Sequence, residues 1–153
     1  MSFREPTTIG RVPLLLASGA ADRFGLDPEA LLREAGFSAV ELRDADARIP
    51  SSKVRQLWAQ IVQRVPDPAV GVLLAEGRAP RELGLIAYTM QMAETLGEAL
   101  HRLQRYIHVL GEGLEFAVHR SAGRAEIVLE RAFPAEPARA PEEFRLALLL
   151  AAI

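Results

Sequence analysis

Thr95-Leu96-Gly97-Glu98-Ala99-Leu100-His101-Arg102-Leu103-Gln104-Arg105-Tyr106-Ile107-His108-Val109-Leu110 runs, after Gly111-Glu112-Gly113, straight into Leu114-Glu115-Phe116-Ala117-Val118-His119. The apolar period changes across that join. Leu96, Leu100, Leu103, Ile107 and Leu110 share one face of a helix that Thr95 is placed to cap. From Leu114 the apolar residues alternate instead, as in a half-buried strand. Ser121-Ala122-Gly123 supplies a turn, and Ala125, Ile127 and Leu129 alternate again, so the stretch predicts a β-hairpin. An isolated hairpin is marginal in water and needs helices or a sheet to pack against. The expected class is therefore α+β.

Upstream the punctuation is helical throughout. Pro13 is suited to opening a first helix and Gly25 to closing it after Phe24. Asp27-Pro28 reads as an N-cap with proline at N1, starting a short helix over 29–35 that ends at Gly36. Residues 37–50 read as an irregular connection carrying Glu41, Asp44 and Asp46, with Ser51 or Ser52 placed to cap the next helix. In that helix Val54, Leu57, Trp58, Ile61 and Val65 form one apolar stripe, and Pro66 stops it. Asp67-Pro68 starts another, with Val70, Leu73 and Leu74, ending at Gly77. After an Ala79-Pro80 linker, a helix over 84–92 is apolar nearly all round and expected to be buried.

Downstream of the hairpin, Pro134, Pro137 and Pro141 make a stiff connection, and Pro141 opens a last helix running to Ile153. The expectation is a predominantly α-helical α+β domain with about seven helices and one hairpin. Residues 1–11 form an N-terminal tail and 12–153 one domain. Termini are usually exposed and polar. The apolar run 148–153 therefore predicts that the domain continues downstream, so that this chain is truncated before the domain's remainder.

Bulk properties narrow the function. The 153 residues carry 18 Lys and Arg against 20 Asp and Glu, a net charge of -2, with no basic excess to hold a polyphosphate. Lys53 is the only lysine, and carboxylates are interspersed among the arginines at helical spacing, as in Glu98 and Arg102. The absence of cysteine excludes disulfides, thiolate metal sites and cysteine nucleophiles. No secretory h-region or membrane-length apolar run is present, so the expected location is the cytoplasm. Usage rich in alanine and arginine and poor in lysine points to a GC-rich bacterial genome.

No constellation for catalysis emerges. Neither a phosphate-cradling glycine loop nor a G-x-S-x-G elbow occurs; Gly111 and Gly113 read as a helix stop and turn. His101 and His108 stand seven residues apart on one helix, about 10 Å at 1.5 Å rise per residue, too far to share one ion. The acidic loop lacks the spacing of a calcium site. No catalytic residue, metal ligand or cofactor is expected. The aromatic and methionine positions are mostly core candidates. Trp58, Tyr88, Met92 and Tyr106 are the expected ligand-pocket residues, the tyrosines because a buried hydroxyl needs a partner.

Four motifs in order carry a resemblance. They are Gly25-Leu26-Asp27-Pro28-Glu29-Ala30-Leu31-Leu32-Arg33-Glu34-Ala35-Gly36-Phe37; Arg48-Ile49-Pro50 with Leu57-Trp58; Asp67-Pro68 through Leu83-Gly84-Leu85-Ile86-Ala87-Tyr88; and Thr95-Leu96-Gly97-Glu98-Ala99-Leu100 with Leu103, Arg105 and Tyr106. Over roughly residues 12–150 the chain resembles the N-terminal, arabinose-binding-like effector domain of AraC-type bacterial transcription regulators. That resemblance implies a regulatory domain that senses a small-molecule effector or dimerises. DNA would be read only by C-terminal helix-turn-helix motifs, and these, like the strands that would complete a β layer, lie outside this sequence. The alternative expectation is an interaction module without ligand, which would show a filled core and an exposed apolar patch.

Overall fold

The computed structural model describes residues 5–151 apart from 10, 45, 80, 81, 83, 113 and 132–138. Eight α-helices are found among them: α1 Arg11–Phe24, α2 Pro28–Glu34, α3 Ala39–Arg43, α4 Ser51–Arg64, α5 Val70–Ala75, α6 Leu85–Gln91, α7 Leu96–Tyr106 and α8 Arg139–Ala151. The strands are β1 Thr7–Ile9, β2 Arg48–Pro50, β3 Leu114–Ser121 and β4 Arg124–Arg131. The predominantly helical α+β class stands. The expected Pro80, Gly113, Pro134–Pro137 and terminal Ile153 features lie outside the described residues. No described helix is long and apolar enough to cross a membrane.

Most helix ends follow the local chemistry. Asp27 accepts hydrogen bonds from the Glu29 and Ala30 N–H groups, and Gly36 closes the turn after α2 at φ +82°. Thr95 Oγ1 accepts from Glu98 N–H at 3.2 Å and starts α7. The hairpin β3–β4 is in register from Leu114 opposite Arg131 to Ser121 opposite Arg124.

Three expectations are corrected. Residues 37–50 are not irregular: Ser38 and Glu41 form a reciprocal capping box that starts α3, the eighth helix. Arg48–Pro50 is a strand, because it pairs antiparallel with Thr7–Ile9, forming a second ladder beside the hairpin. Neither Ser51 nor Ser52 caps α4. The Ser52 N–H donates to Glu5 Oε1 at 2.7 Å and the Ser51 N–H to the Pro6 carbonyl at 2.9 Å, so the cap comes from the N-terminal segment.

That segment does more than cap. Thr8 faces Ile49 in the β1–β2 ladder and also bridges to Gly111. The Glu112 N–H donates to the Thr7 carbonyl at 2.8 Å, and the Thr8 hydroxyl to the Leu110 carbonyl at 2.7 Å. One short strand thus ties the β2–α4 corner to the end of α7.

Two apolar cores result. The first gathers Leu16, Leu31, Leu57, Ile61, Leu74 and Phe144 from α1, α2, α4, α5 and α8. The second gathers Ile86, Met90, Leu100, Leu103 and Phe116 from α6, α7 and β3. Helix α8 serves both, giving Leu148 to the first and Leu149 to the second. It reaches that position because α5 offers Gly71: a Cβ there would lie 2.1 Å from the Ala140 carbonyl oxygen.

Helix α6 is not buried all round. Ile86, Ala87 and Met90 are buried, but Leu85, Tyr88 and the C-capping Met92 are 76%, 60% and 59% exposed. It lies at the edge of the second core, packing one face against α7 and leaving the other apolar face in the open.

An apolar cavity between the two cores

The inward faces of the two cores do not meet everywhere. Between them lies a cavity of about 220 Å³. An apolar cavity of about 150 Å³ already holds a benzene molecule, so the space suits a small organic ligand.

Each wall follows from helical spacing. Helix α4 contributes Ser51, Val54, Arg55 and Trp58, one stripe at i, i+3, i+4 and i+7. Helix α8 contributes Pro141, Phe144, Arg145, Leu148 and Leu149. Opposite them stand Ile86 and Met90 of α6, Leu103 of α7 and Ile107 in the 3₁₀ turn at the end of α7. Leu114 and Leu129 of the hairpin close one side, and Pro6, Thr7 and Thr8 close another beside Gly111 and Glu112. The N-terminal strand is therefore part of the wall. Trp58 and Phe144 meet edge to face, with ring centroids 5.5 Å apart, a favoured aromatic geometry.

Six of the described lining residues carry polar side chains: Thr7, Thr8, Ser51, Arg55, Glu112 and Arg145. Thr8 spends its hydroxyl proton on Leu110, and Glu112 Oε2 accepts the Thr7 N–H at 2.9 Å. Arg145 Nη1 donates to Glu142 Oε2 at 2.9 Å, and burial lowers the guanidinium pKa. Glu5, which caps α4, has its carboxyl held below its ordinary pKa, first by the Ser52 hydroxyl and then by the Ser52 N–H, with a smaller contribution from Arg55. Arg55 makes no ion pair with a described residue. Thr7 Oγ1 is buried with no hydrogen-bond partner among the described residues. A buried hydroxyl in that condition is uncommon in folded proteins.

Of the four residues expected from sequence, Trp58 lines this cavity. Tyr88, Met92 and Tyr106 do not, and the structure does not bring them together with it; Tyr106 is 39% exposed and stacks near the Arg105 guanidinium. Met90, Phe144, Arg145 and Thr7 went unnamed as pocket residues. Periodicity marks each apolar stripe but not where two stripes stop short of contact. His101, His108 and His119 are exposed, and no group of three or more His, Cys, Asp or Glu side chains able to hold a metal ion occurs among the described residues.

The chain is thus a helical α+β domain with a ligand-sized cavity between its two apolar cores. Comparison with protein families makes this specific: residues 25–153 match the arabinose-binding domain of AraC transcription regulators, N-terminal. The chain belongs to that family, and is a regulatory N-terminal domain of an AraC-type transcription regulator. No curated protein matches it closely enough to count as a relative.

Proposed function

We propose that this domain senses a small-molecule effector in the cavity between its two cores and thereby controls DNA binding by a helix-turn-helix part of the regulator. The observation that carries the reading is the cavity itself, with Trp58 and Phe144 on one side and Met90, Leu103 and Ile107 on the other. An effector that fits one spacing of the cores better than another shifts the population toward it. Helix α8, with Leu148 in one core and Leu149 in the other, is the element that such a shift would move. The setting is the bacterial cytoplasm, the assembly a homodimer, and no catalysis is involved.

Trp58 is the sole tryptophan and lines the cavity, so it reports occupancy directly. Its emission should change saturably with one class in a panel of sugars, amino acids, fatty acids and aromatic acids. Tyr88→Phe, on the exposed face of α6, should leave that affinity unchanged. Weakened binding in Tyr88→Phe would move the site to α6, in line with the expectation from sequence alone.

A second reading has its own observation. Leu85, Tyr88 and Met92 fall at i, i+3 and i+7 on the exposed face of α6, an apolar row suited to a protein contact. A flat panel together with a monomeric Met92→Glu variant of a dimeric wild type would favour an interaction module.

A further inference from the structure

The cavity's lining specifies the chemistry of what it takes, an inference that rests on the sensing role above. A pentose carries a hydroxyl on nearly every carbon, and each must find a partner when buried. Sugar sites meet that demand with planar polar side chains. Among the described residues no Asn, Gln or Asp lines the cavity, and the whole chain contains no asparagine. The walls are instead Val, Leu, Ile, Met, Trp and Phe.

Among the described residues, the charged groups in the lining are two guanidiniums, Arg55 and Arg145, and one carboxylate, Glu112. Both cations sit on the helices that carry the ring pair: Arg55 precedes Trp58 by about one turn of α4, and Arg145 follows Phe144 in α8. Nearby carboxylates leave them capacity. The Glu142 contact uses Nη1 of Arg145, one nitrogen of a group with five N–H donors, and Glu5 is committed to the start of α4. Glu112 is turned to the Thr7 N–H.

We propose that the cavity binds an amphipathic carboxylic acid, with its apolar body between Trp58, Phe144 and Met90 and its carboxylate taken by Arg145 and Arg55. A guanidinium receives a carboxylate through charge-assisted, frequently paired hydrogen bonds, which a neutral head group cannot match. The family's arabinose label is thus not the ligand class of this chain.

Isothermal titration of the domain with octanoate and phenylacetate, beside octanol, phenylethanol and L-arabinose, decides it. At least one acid should bind about tenfold or more tighter than its alcohol, with arabinose giving no binding. Arg145→Gln should weaken acid binding about tenfold and leave the alcohol's affinity unchanged. Arg55→Gln should act in the same direction, and keeps the test decisive if Arg145→Gln misfolds. An alcohol that binds as tightly as its acid, or acid affinity unmoved by the arginine substitutions, overturns the acid assignment while the cavity remains a sensor. Arabinose binding in place of the acids overturns it too. No binding of any probe, with Trp58 emission flat across the wider panel, removes both the acid and the sensing role.

Discussion

At the scale of single residues, Glu41 shows how one carboxylate can hold a local element and a tertiary contact together. Its side chain accepts from Lys53 Nζ at 2.5 Å and from the Ser38 N–H at 2.8 Å. The Lys53 hydrogen bond first, and then those from Ser38, hold its pKa down to about 2. A carboxyl whose folded pKa is depressed stabilises above its unfolded pKa and loses that contribution as pH falls through the folded one. Glu41→Gln keeps a residue able to complete the capping box but loses the charge paired with Lys53, and should therefore cost up to about 1 kcal/mol near neutral pH. The gap should close between the ordinary carboxyl value of 4.5 and about 2. Urea unfolding of both proteins across that range checks it; a difference constant with pH would mean the charge is not what matters. The Ser38-x-x-Glu41 spacing was readable from sequence as a capping box. The helix it starts is five residues long and has no buried residue, so periodicity had nothing to detect.

At the scale of elements, legibility tracked the range of the forces involved. Caps, prolines and glycines act within a turn, and Asp27, Thr95, Gly25 and Gly36 ended up where local rules place them. The apolar stripe of α4 was likewise plain, with Leu57, Trp58 and Ile61 buried. The pairing of β1 with β2 was not, because two three-residue strands separated by residues 10–47 leave no local signature. The cap of α4 from Glu5 hid for the same reason. The apolar faces of α6 misled in the other direction, since composition cannot say which face finds a neighbour.

The contact of α5 with α8 is also of this long-range kind, and it hinges on Gly71. Gly71→Ala places a methyl against the Ala140 backbone, which no side-chain rotation can relieve. It should destabilise the domain by about 1–3 kcal/mol, the usual cost of overpacking. Gly25→Ala, whose added Cβ meets nothing within 4 Å but sits at φ +67°, separates backbone strain from packing. If α8 positions one wall of the cavity, Gly71→Ala should also weaken effector binding, whereas Gly25→Ala should not. Equal affinities in the two variants would detach α8 from the site.

At the scale of the molecule, the two cores and the space between them are the central feature. The α+β class was recoverable from the change of apolar period at Leu114, and the regulator family from the order of the motifs. The cavity was recoverable only in Trp58, because it exists where three long-range contacts meet: α4 with α8, the N-terminal strand with Gly111, and the hairpin with α7. A ligand that binds only the folded state raises the melting temperature by mass action. Leu129 lines the cavity and is only partly buried, so Leu129→Trp should fill the space without straining the fold. The most direct test is a melting-temperature panel of small molecules run on the wild type and Leu129→Trp side by side. The cavity account predicts a dose-dependent rise for one chemical class in the wild type and its loss in a variant that melts no lower unliganded. An equal rise in both proteins, or no rise in the wild type, would contradict it.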